Sequence, residues 1–235
     1  MSRTTPLLRS TLVAVVGLGT AALLSGCFGP PAPVETPKPT PNFDAIGGDE
    51  SPVPLETGTP IEPVESDDEG YTSVLDDLGV LTVTVPDDWT DVNGEPFTTD
   101  SGQEWASITV APDIDGYLTS WSESGLEIAA TETSGVTEEG LLGLLESISS
   151  IYGECDTVVQ EASPYDDGFF TGFESAWEGC GSDNTSAFAI VGTNAAGTQA
   201  LFVRGQITSD LDANEVYLAV VNSFDTTLGR SAQSK

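Results

Sequence analysis

A proline- and acid-rich stretch divides the chain and limits which part of it can fold. Ten of the fifteen prolines lie between Phe28 and Gly70, where large apolar residues are few and acids are frequent. Such a composition cannot bury enough apolar surface to offset the entropy lost on ordering. We therefore expect residues 27–70 to be a disordered linker that is partly polyproline II. Residues 71–235 hold all four tryptophans and all five tyrosines and are expected to form one globular domain.

The start of the chain has the features of an export signal. Arg3 and Arg9 precede an uncharged apolar run that is shorter than the roughly 20 residues a membrane-spanning helix needs. The run ends in Leu24-Ser25-Gly26-Cys27, which resembles the lipobox of bacterial lipoproteins at all four positions. The resemblance implies that residues 1–26 are a signal peptide and that Cys27 carries a diacylglyceryl group. Two acyl chains suffice for stable anchoring, here to the outer face of the cell membrane. The alternative is a plain secretory signal with an unrelated cysteine.

The acidity of the chain restricts its partners. Six basic residues stand against 38 acids, with no histidine, and the net charge is −32 at pH 7. Removal of residues 1–26 would leave four basic residues and a net charge of −34. Nucleic acid and anionic lipid headgroups repel such a chain, so we exclude DNA and RNA as partners. Because the acids are scattered, we interpret them mainly as a solvated exported surface; a cationic partner or bound metal ions are the alternative.

The three cysteines divide into one lipidation site and one pair. With Cys27 assigned to the lipid, Cys155 and Cys180 remain, and an oxidising compartment favours a disulfide between them. The closed loop would contribute roughly 3–4 kcal/mol through loop-closure entropy. Two cysteines without histidine make a metal site an unfavoured alternative.

Apolar periodicity after residue 71 predicts strands interrupted by helices. Alternation indicates strands over 79–86, 104–112 and 126–133, and a later hairpin that turns near 194–197. Helical spacing indicates a helix capped by Thr137 and a last helix over 211–224. This order favours an α+β sandwich, a mostly antiparallel sheet with helices packed on it.

Several segments of the domain carry a family resemblance. They are "VPDDWTDV", "APDIDGYLTSW" and "YDDGFFTGFESAWEGCG", together with the closing helix. They resemble exported domains of actinobacterial lipoproteins and similar domains that follow some membrane serine/threonine kinases. The resemblance implies a Mog1/PsbP-like fold over roughly residues 71–228. That family has no shared catalytic residues to transfer, and its members mostly bind, sense or assist assembly, so binding is favoured over catalysis.

Catalytic and metal-binding motifs are weak. Without histidine, neither a Ser-His-Asp nor a Cys-His arrangement can form, and we predict no catalytic residues and no cofactor. Scattered acid pairs leave a carboxylate-based hydrolase of cell-wall polymers as an alternative function. Asp210, Asp212 and Asn214 match the first three ligand positions of an EF-hand loop, but Glu215 and Val221 replace its glycine and final glutamate. We therefore interpret Asp210 as the N-cap or a first-turn acid of the last helix, with weak calcium-dependent surface binding as a further alternative.

Two residues are the best candidates for ligand contact. Trp89 follows Pro86-Asp87-Asp88 in a loop and is predicted to be an exposed aromatic. Arg204 lies on a predicted strand, and we expect it to pair with a neighbouring carboxylate such as Glu174 or Glu178; the alternative is an anchor for an anionic ligand. The sequence thus predicts a lipid-anchored, extracytoplasmic, non-catalytic binding module whose partner is an envelope protein or a cell-wall component.

Overall fold

Alternating apolar residues after Tyr71 form strands, as the sequence predicts. The computed structural model describes residues 70–133 and 135–228, together with residues 38, 41–43, 46, 54 and 55. The export signal, Cys27 and most of the linker lie outside the described residues, so their predicted structure stays a prediction. No helix in the described part is long and apolar enough to cross a membrane.

The described elements run in one order along the chain. They are β1 (Tyr71–Leu75), β2 (Leu81–Pro86), β3 (Asp91–Asn93), β4 (Phe97–Thr98), β5 (Glu104–Ala111), α1 (Ile114–Thr119), β6 (Gly125–Glu132), α2 (Glu138–Ile151), β7 (Thr157–Asp166), β8 (Phe170–Cys180), β9 (Thr185–Asn194), β10 (Gln199–Ile207), α3 (Ala213–Ser223) and β11 (Asp225–Thr226).

The strands of the described residues form two antiparallel sheets. The large sheet has the order β3-β5-β6-β10-β9-β8-β7, with β4 paired to β5, and the small sheet has the order β1-β2-β11. All of the strand pairs are antiparallel. The α+β class with a mostly antiparallel sheet is thereby confirmed.

The two faces of the large sheet bury separate sets of side chains. One face, called here the α3 face, packs Val203 and Ile190 against Val83 of the small sheet and against Val216 and Val220 of α3. The other, called here the α2 face, packs against the apolar side of α2. The predicted cap is confirmed, since the Thr137 side chain accepts a hydrogen bond from the Gly140 amide at the start of α2.

Residues from the predicted linker also pack on the α2 face. Phe43 and Ile46 are buried there, and the Phe43 ring contacts Phe97, Trp105 and Phe202 at centroid distances of 4.8, 5.1 and 5.2 Å. We call residues 38–46, of which 38, 41–43 and 46 are described, the upstream segment. A boundary at residue 71 therefore leaves out side chains that belong to the core of the domain.

The predicted disulfide is confirmed. Cys155 and Cys180 are bonded across a sequence separation of 25 residues. The bond joins the loop before β7 to the end of β8. Because β7 lies at the edge of the sheet, the disulfide fixes an edge strand to its single neighbour in the sheet.

Candidate functional site

A pocket opens between the start of α3 and strands β7 to β10. Its volume is about 370 Å³. We call it the α3 pocket. Its polar and aromatic lining comes from four elements and includes Gln160, Glu174, Glu178, Phe188, Asn214 and Tyr217. Concave sites of this size that combine apolar walls with a few placed polar groups are the usual form of a ligand site.

Glu174 is the central polar group of the α3 pocket. Its Oε1 atom accepts a hydrogen bond from Gln160 Nε2 at 2.8 Å, and its Oε2 atom accepts one from the Tyr217 hydroxyl at 2.6 Å. The two donors come from β7 and α3, so packing of the helix on the sheet fixes the carboxylate in one orientation. Both donors are neutral groups, and neither balances the negative charge of Glu174.

Two aromatic rings form an apolar wall beside this carboxylate. Phe188 and Tyr217 are in T-shaped contact, with centroids 5.2 Å apart and an interplanar angle of 90°. Gly205 makes this arrangement possible, because a Cβ atom there would lie 2.3 Å from the Phe188 ring. Tyr217 is held in turn by its bond to Glu174. Burial, followed by the hydrogen bond to Glu174, raises the pKa of Tyr217 well above its usual value, so it stays a donor at neutral pH.

The opposite face of the sheet holds a second carboxylate in different surroundings. Arg204 on β10 donates from Nε to Glu127 Oε2 at 2.7 Å, and its Nη2 lies 2.6 Å from the same oxygen. The side chains are only 7% and 14% exposed. The predicted pairing of Arg204 with a neighbouring carboxylate is thus confirmed, but the partner is Glu127 and not Glu174 or Glu178. The reason is register, since the antiparallel pairing of β10 with β6 places Arg204 directly opposite Glu127.

Two buried tyrosines and a lysine surround the Arg204–Glu127 pair. Burial raises the pKa of Tyr117, and the nearby positive charge of Arg204 acts to lower it. Burial raises the pKa of Tyr152 to about 12, although the positive charge of Arg204 acts to lower it. From the upstream segment, Lys38 Nζ donates to the Tyr117 carbonyl at 2.6 Å and lies 4.5 Å from the Trp121 ring centroid. The position of Lys38 was not predictable from the sequence, because a single lysine in a proline-rich segment has no periodic context.

The positive charge of Arg204 is matched by a carboxylate within the protein. Burial alone would lower the pKa of Arg204, but Glu127 and the two tyrosines raise it overall, so Arg204 is charged at any physiological pH. Lys38 and Arg204 are the two basic residues in the described part of the chain, and both contact Tyr117. The arrangement supports the structural interpretation of Arg204 over an anchor for an anionic ligand.

Trp89 is not the exposed aromatic that the sequence predicts. Its side chain is 1% exposed and belongs to the core of the α3 face. The amide of Trp89 donates to the Pro86 carbonyl at 3.1 Å in a tight turn after β2, and the indole lies in the core. The exposed residues of the turn are Asp87 and Asp88. Trp89 is therefore a structural residue and does not contribute to the α3 pocket.

The segment that resembles an EF-hand loop forms the cap of α3. Asp212, and not Asp210, is the cap residue, and its Oδ1 atom accepts hydrogen bonds from the amides of Asn214 and Glu215. Asp210 lies before the helix and accepts a hydrogen bond from the Thr208 hydroxyl. Within the described residues, no group of three or more acidic or cysteine side chains is arranged to hold a metal ion.

Comparisons with known proteins give this geometry no functional label. No family model matches the chain, and no curated protein matches it. A crystal structure of a protein from Bacteroides thetaiotaomicron VPI-5482 is similar, with a TM-score of 0.36 and 13% sequence identity. The similarity covers 66% of this chain and 47% of that one, so the chain spans less than half the length of the solved protein.

Proposed function

We propose that this protein is a non-catalytic binding module, held at the outer face of a bacterial cell membrane by a lipid on Cys27, and that the α3 pocket is its binding site. The observation that carries the proposal is the orientation of Glu174. A carboxylate fixed by two neutral donors at a pocket wall is prepared to meet a further polar group from outside the protein.

The anchoring part of the proposal rests on the sequence. The lipobox-like Leu24-Ser25-Gly26-Cys27 motif supports lipidation, and the Cys155–Cys180 disulfide agrees with an oxidising compartment outside the cytoplasm. The resemblance to Mog1/PsbP-like exported domains agrees with the α+β architecture and favours binding over catalysis. On this proposal, the occupant of the α3 pocket is a component of the cell envelope.

Site-specific photocrosslinking in living cells tests this proposal. A photoreactive phenylalanine analogue replaces Asn214, an exposed residue that lines the α3 pocket, and in a matched control it replaces Leu218, which is 45% exposed on the same helix. We expect a discrete adduct from position 214 that is absent from position 218. The adduct should disappear in a Cys27→Ala strain, in which the protein is not anchored.

Two results would contradict the proposal. Identical adducts at positions 214 and 218 would show that the α3 pocket is not the contact surface. An unchanged adduct and an unchanged membrane fraction in the Cys27→Ala strain would show that Cys27 is not the anchor.

A further inference from the structure

We infer that the α3 pocket binds an organic cation, an ammonium group carried on an aliphatic stem, with the Glu174 carboxylate as its counter-ion. The inference rests on the proposed function of the α3 pocket and names the chemical class of its ligand. A free amine and a lysine side chain of a partner protein share this chemistry.

The charge balance at Glu174 is the first support. The bonds from Gln160 and Tyr217 orient both carboxylate oxygens but supply no positive charge. Glu178 lines the same pocket and adds a second negative charge. By contrast, the carboxylate on the α2 face is already paired with Arg204. A ligand that brings a positive charge to Glu174 would form a charge-assisted hydrogen bond, roughly twice as strong as a neutral one.

The aromatic wall determines which kind of cation fits. Calcium requires six to eight oxygen ligands, and the described residues hold no such group of carboxylates. Phe188 and Tyr217 instead place rings beside Glu174. Ammonium groups on organic stems gain both from the face of an aromatic ring and from burial of their methylene groups. The combination of one oriented carboxylate with two rings therefore favours an organic cation over a metal ion.

The dipole of α3 acts against a cation but is outweighed. The N-terminal end of the helix lies at the pocket, where Ala213 and Asn214 line it, and carries about half a positive charge. Asp212 at the cap and Glu215 in the first turn carry two full negative charges at the same end. With Glu174 and Glu178 added, the sum of charges around the α3 pocket is clearly negative.

The size of the pocket admits a ligand with an aliphatic stem. A volume of about 370 Å³ equals that of roughly twelve liquid water molecules at about 30 Å³ each. An ammonium group with a chain of five carbons has six heavy atoms and fits with space to spare. Inorganic ammonium would leave most of the apolar wall uncovered.

Three probes with the same stem and different charges test the inference on the unmodified mature protein. They are pentylammonium, 1-pentanol and pentanoate, and binding is measured by calorimetric titration at pH 7 and fixed ionic strength. We expect saturable binding of pentylammonium, at least tenfold weaker binding of 1-pentanol, and no binding of pentanoate. Equal affinities for pentylammonium and 1-pentanol would overturn the inference.

Matched variants separate local recognition from the general attraction of a highly acidic chain for cations. Glu174→Gln and Glu139→Gln remove the same charge, but Glu139 is exposed on α2, on the other side of the sheet. We expect Glu174→Gln to weaken pentylammonium binding at least tenfold and Glu139→Gln to change it less than twofold. Equal losses in the two variants would show non-specific attraction and would overturn the inference.

Two further measurements identify the source of the ammonium group and distinguish failure of the inference from failure of the proposed function. A lysine with its amino and carboxyl ends capped, titrated beside pentylammonium, shows whether a lysine side chain or a free amine fits better, and tight binding of either supports the inference. If 1-pentanol binds as well as pentylammonium and Asn214→Trp blocks both, the α3 pocket is a binding site but not a cation site. In that case the inference fails while the proposed function stands.

Discussion

Glu127 and Glu174 project from opposite faces of one sheet. One carboxylate has a charged partner within the protein, and the other has only neutral donors. Glu127 borders a pocket beside the upstream segment, is 14% exposed and forms an ion pair with Arg204. Glu174 lines an open pocket and is oriented by the neutral donors Gln160 and Tyr217. Glu127 thus has a charged partner within the protein, whereas Glu174 has none among the described residues.

The comparison shows why acid content says little about where an acidic protein binds. All 28 acids from residue 71 onward contribute to the same overall field, and most of them are solvated. What distinguishes Glu174 is its fixed orientation in a pocket without a positive donor. We therefore expect loss of Glu127 to affect stability and loss of Glu174 to affect binding.

The largest expected effect is on the ion pair. Glu127→Gln leaves the Arg204 guanidinium buried without an anion, which costs about 3–5 kcal/mol of unfolding free energy. Glu174→Gln should change stability by less than about 1 kcal/mol, because the Tyr217 hydroxyl can turn to accept a hydrogen bond from the new amide. Urea unfolding at pH 7 measures both variants.

A double variant checks the cause of this loss. Arg204→Met combined with Glu127→Gln removes the unpaired charge and should recover much of the lost stability, as replacement of a buried pair often does. Equal destabilisation by Glu127→Gln and Glu174→Gln would contradict the difference between the two carboxylates.

The second prediction concerns the cover over the α2 face. Phe43→Ala removes a buried ring that contacts three others, and we expect a loss of about 3 kcal/mol. Leu218→Ala, at a residue 45% exposed on α3, is the control and should change stability by less than about 0.5 kcal/mol. Urea unfolding of the two variants beside the wild type measures both. A Phe43→Ala variant as stable as the control would show that the upstream segment does not contribute to the core.

The sequence predicted the regular parts of this fold well. Strand β2 was predictable because Leu81, Val83 and Val85 alternate with threonines, and the start of α2 because Thr137 precedes two acids. The role of Trp89 was not predictable, since a loop has no period that assigns its side chains to the inside or the outside. Phe43 was missed because an isolated ring in a proline-rich segment gives no pattern.

The site was less predictable than the fold, because it depends on strand register. Nothing local distinguishes Glu127 from Glu174, which both follow a large apolar residue on a strand. Only the pairing of β10 with β6 places Arg204 opposite Glu127 and leaves Glu174 without a basic partner among the described residues. Non-local pairing of this kind cannot be read from composition or spacing.

The third prediction concerns the loss of stability at alkaline pH that comes from a buried tyrosine on the α2 face. The pKa of Tyr152 is raised from 10.0 to about 12, chiefly by burial, so the folded state holds this proton more tightly than the unfolded state. Its contribution to stability is complete below pH 10 and is lost as the pH rises from 10 to about 12, by about 2–3 kcal/mol in total. Urea unfolding at a series of pH values measures the slope of the unfolding free energy against pH.

A matched variant isolates the phenol. Tyr152→Phe keeps the ring that stacks on Trp177 at a centroid distance of 4.4 Å, and it should reduce the slope between pH 10 and 12. Part of the slope should remain, because burial also raises the pKa of Tyr117. An unchanged slope in Tyr152→Phe would mean that burial does not raise the pKa of the Tyr152 phenol.

The last prediction, with the smallest expected effect on stability, concerns the pKa of Tyr217. It tests whether the two faces of the sheet are electrostatically separate. Burial and the hydrogen bond to the Glu174 carboxylate both raise the pKa of Tyr217. Glu174→Gln removes the negative charge, so the pKa of Tyr217 should fall towards its usual value, while Tyr152 on the other face should keep a pKa of about 12. Nuclear magnetic resonance of tyrosines labelled at the ring Cζ atom follows each residue separately. If both tyrosines shifted together, the two faces would share one electrostatic environment, and Glu174 would not be a locally unmatched charge.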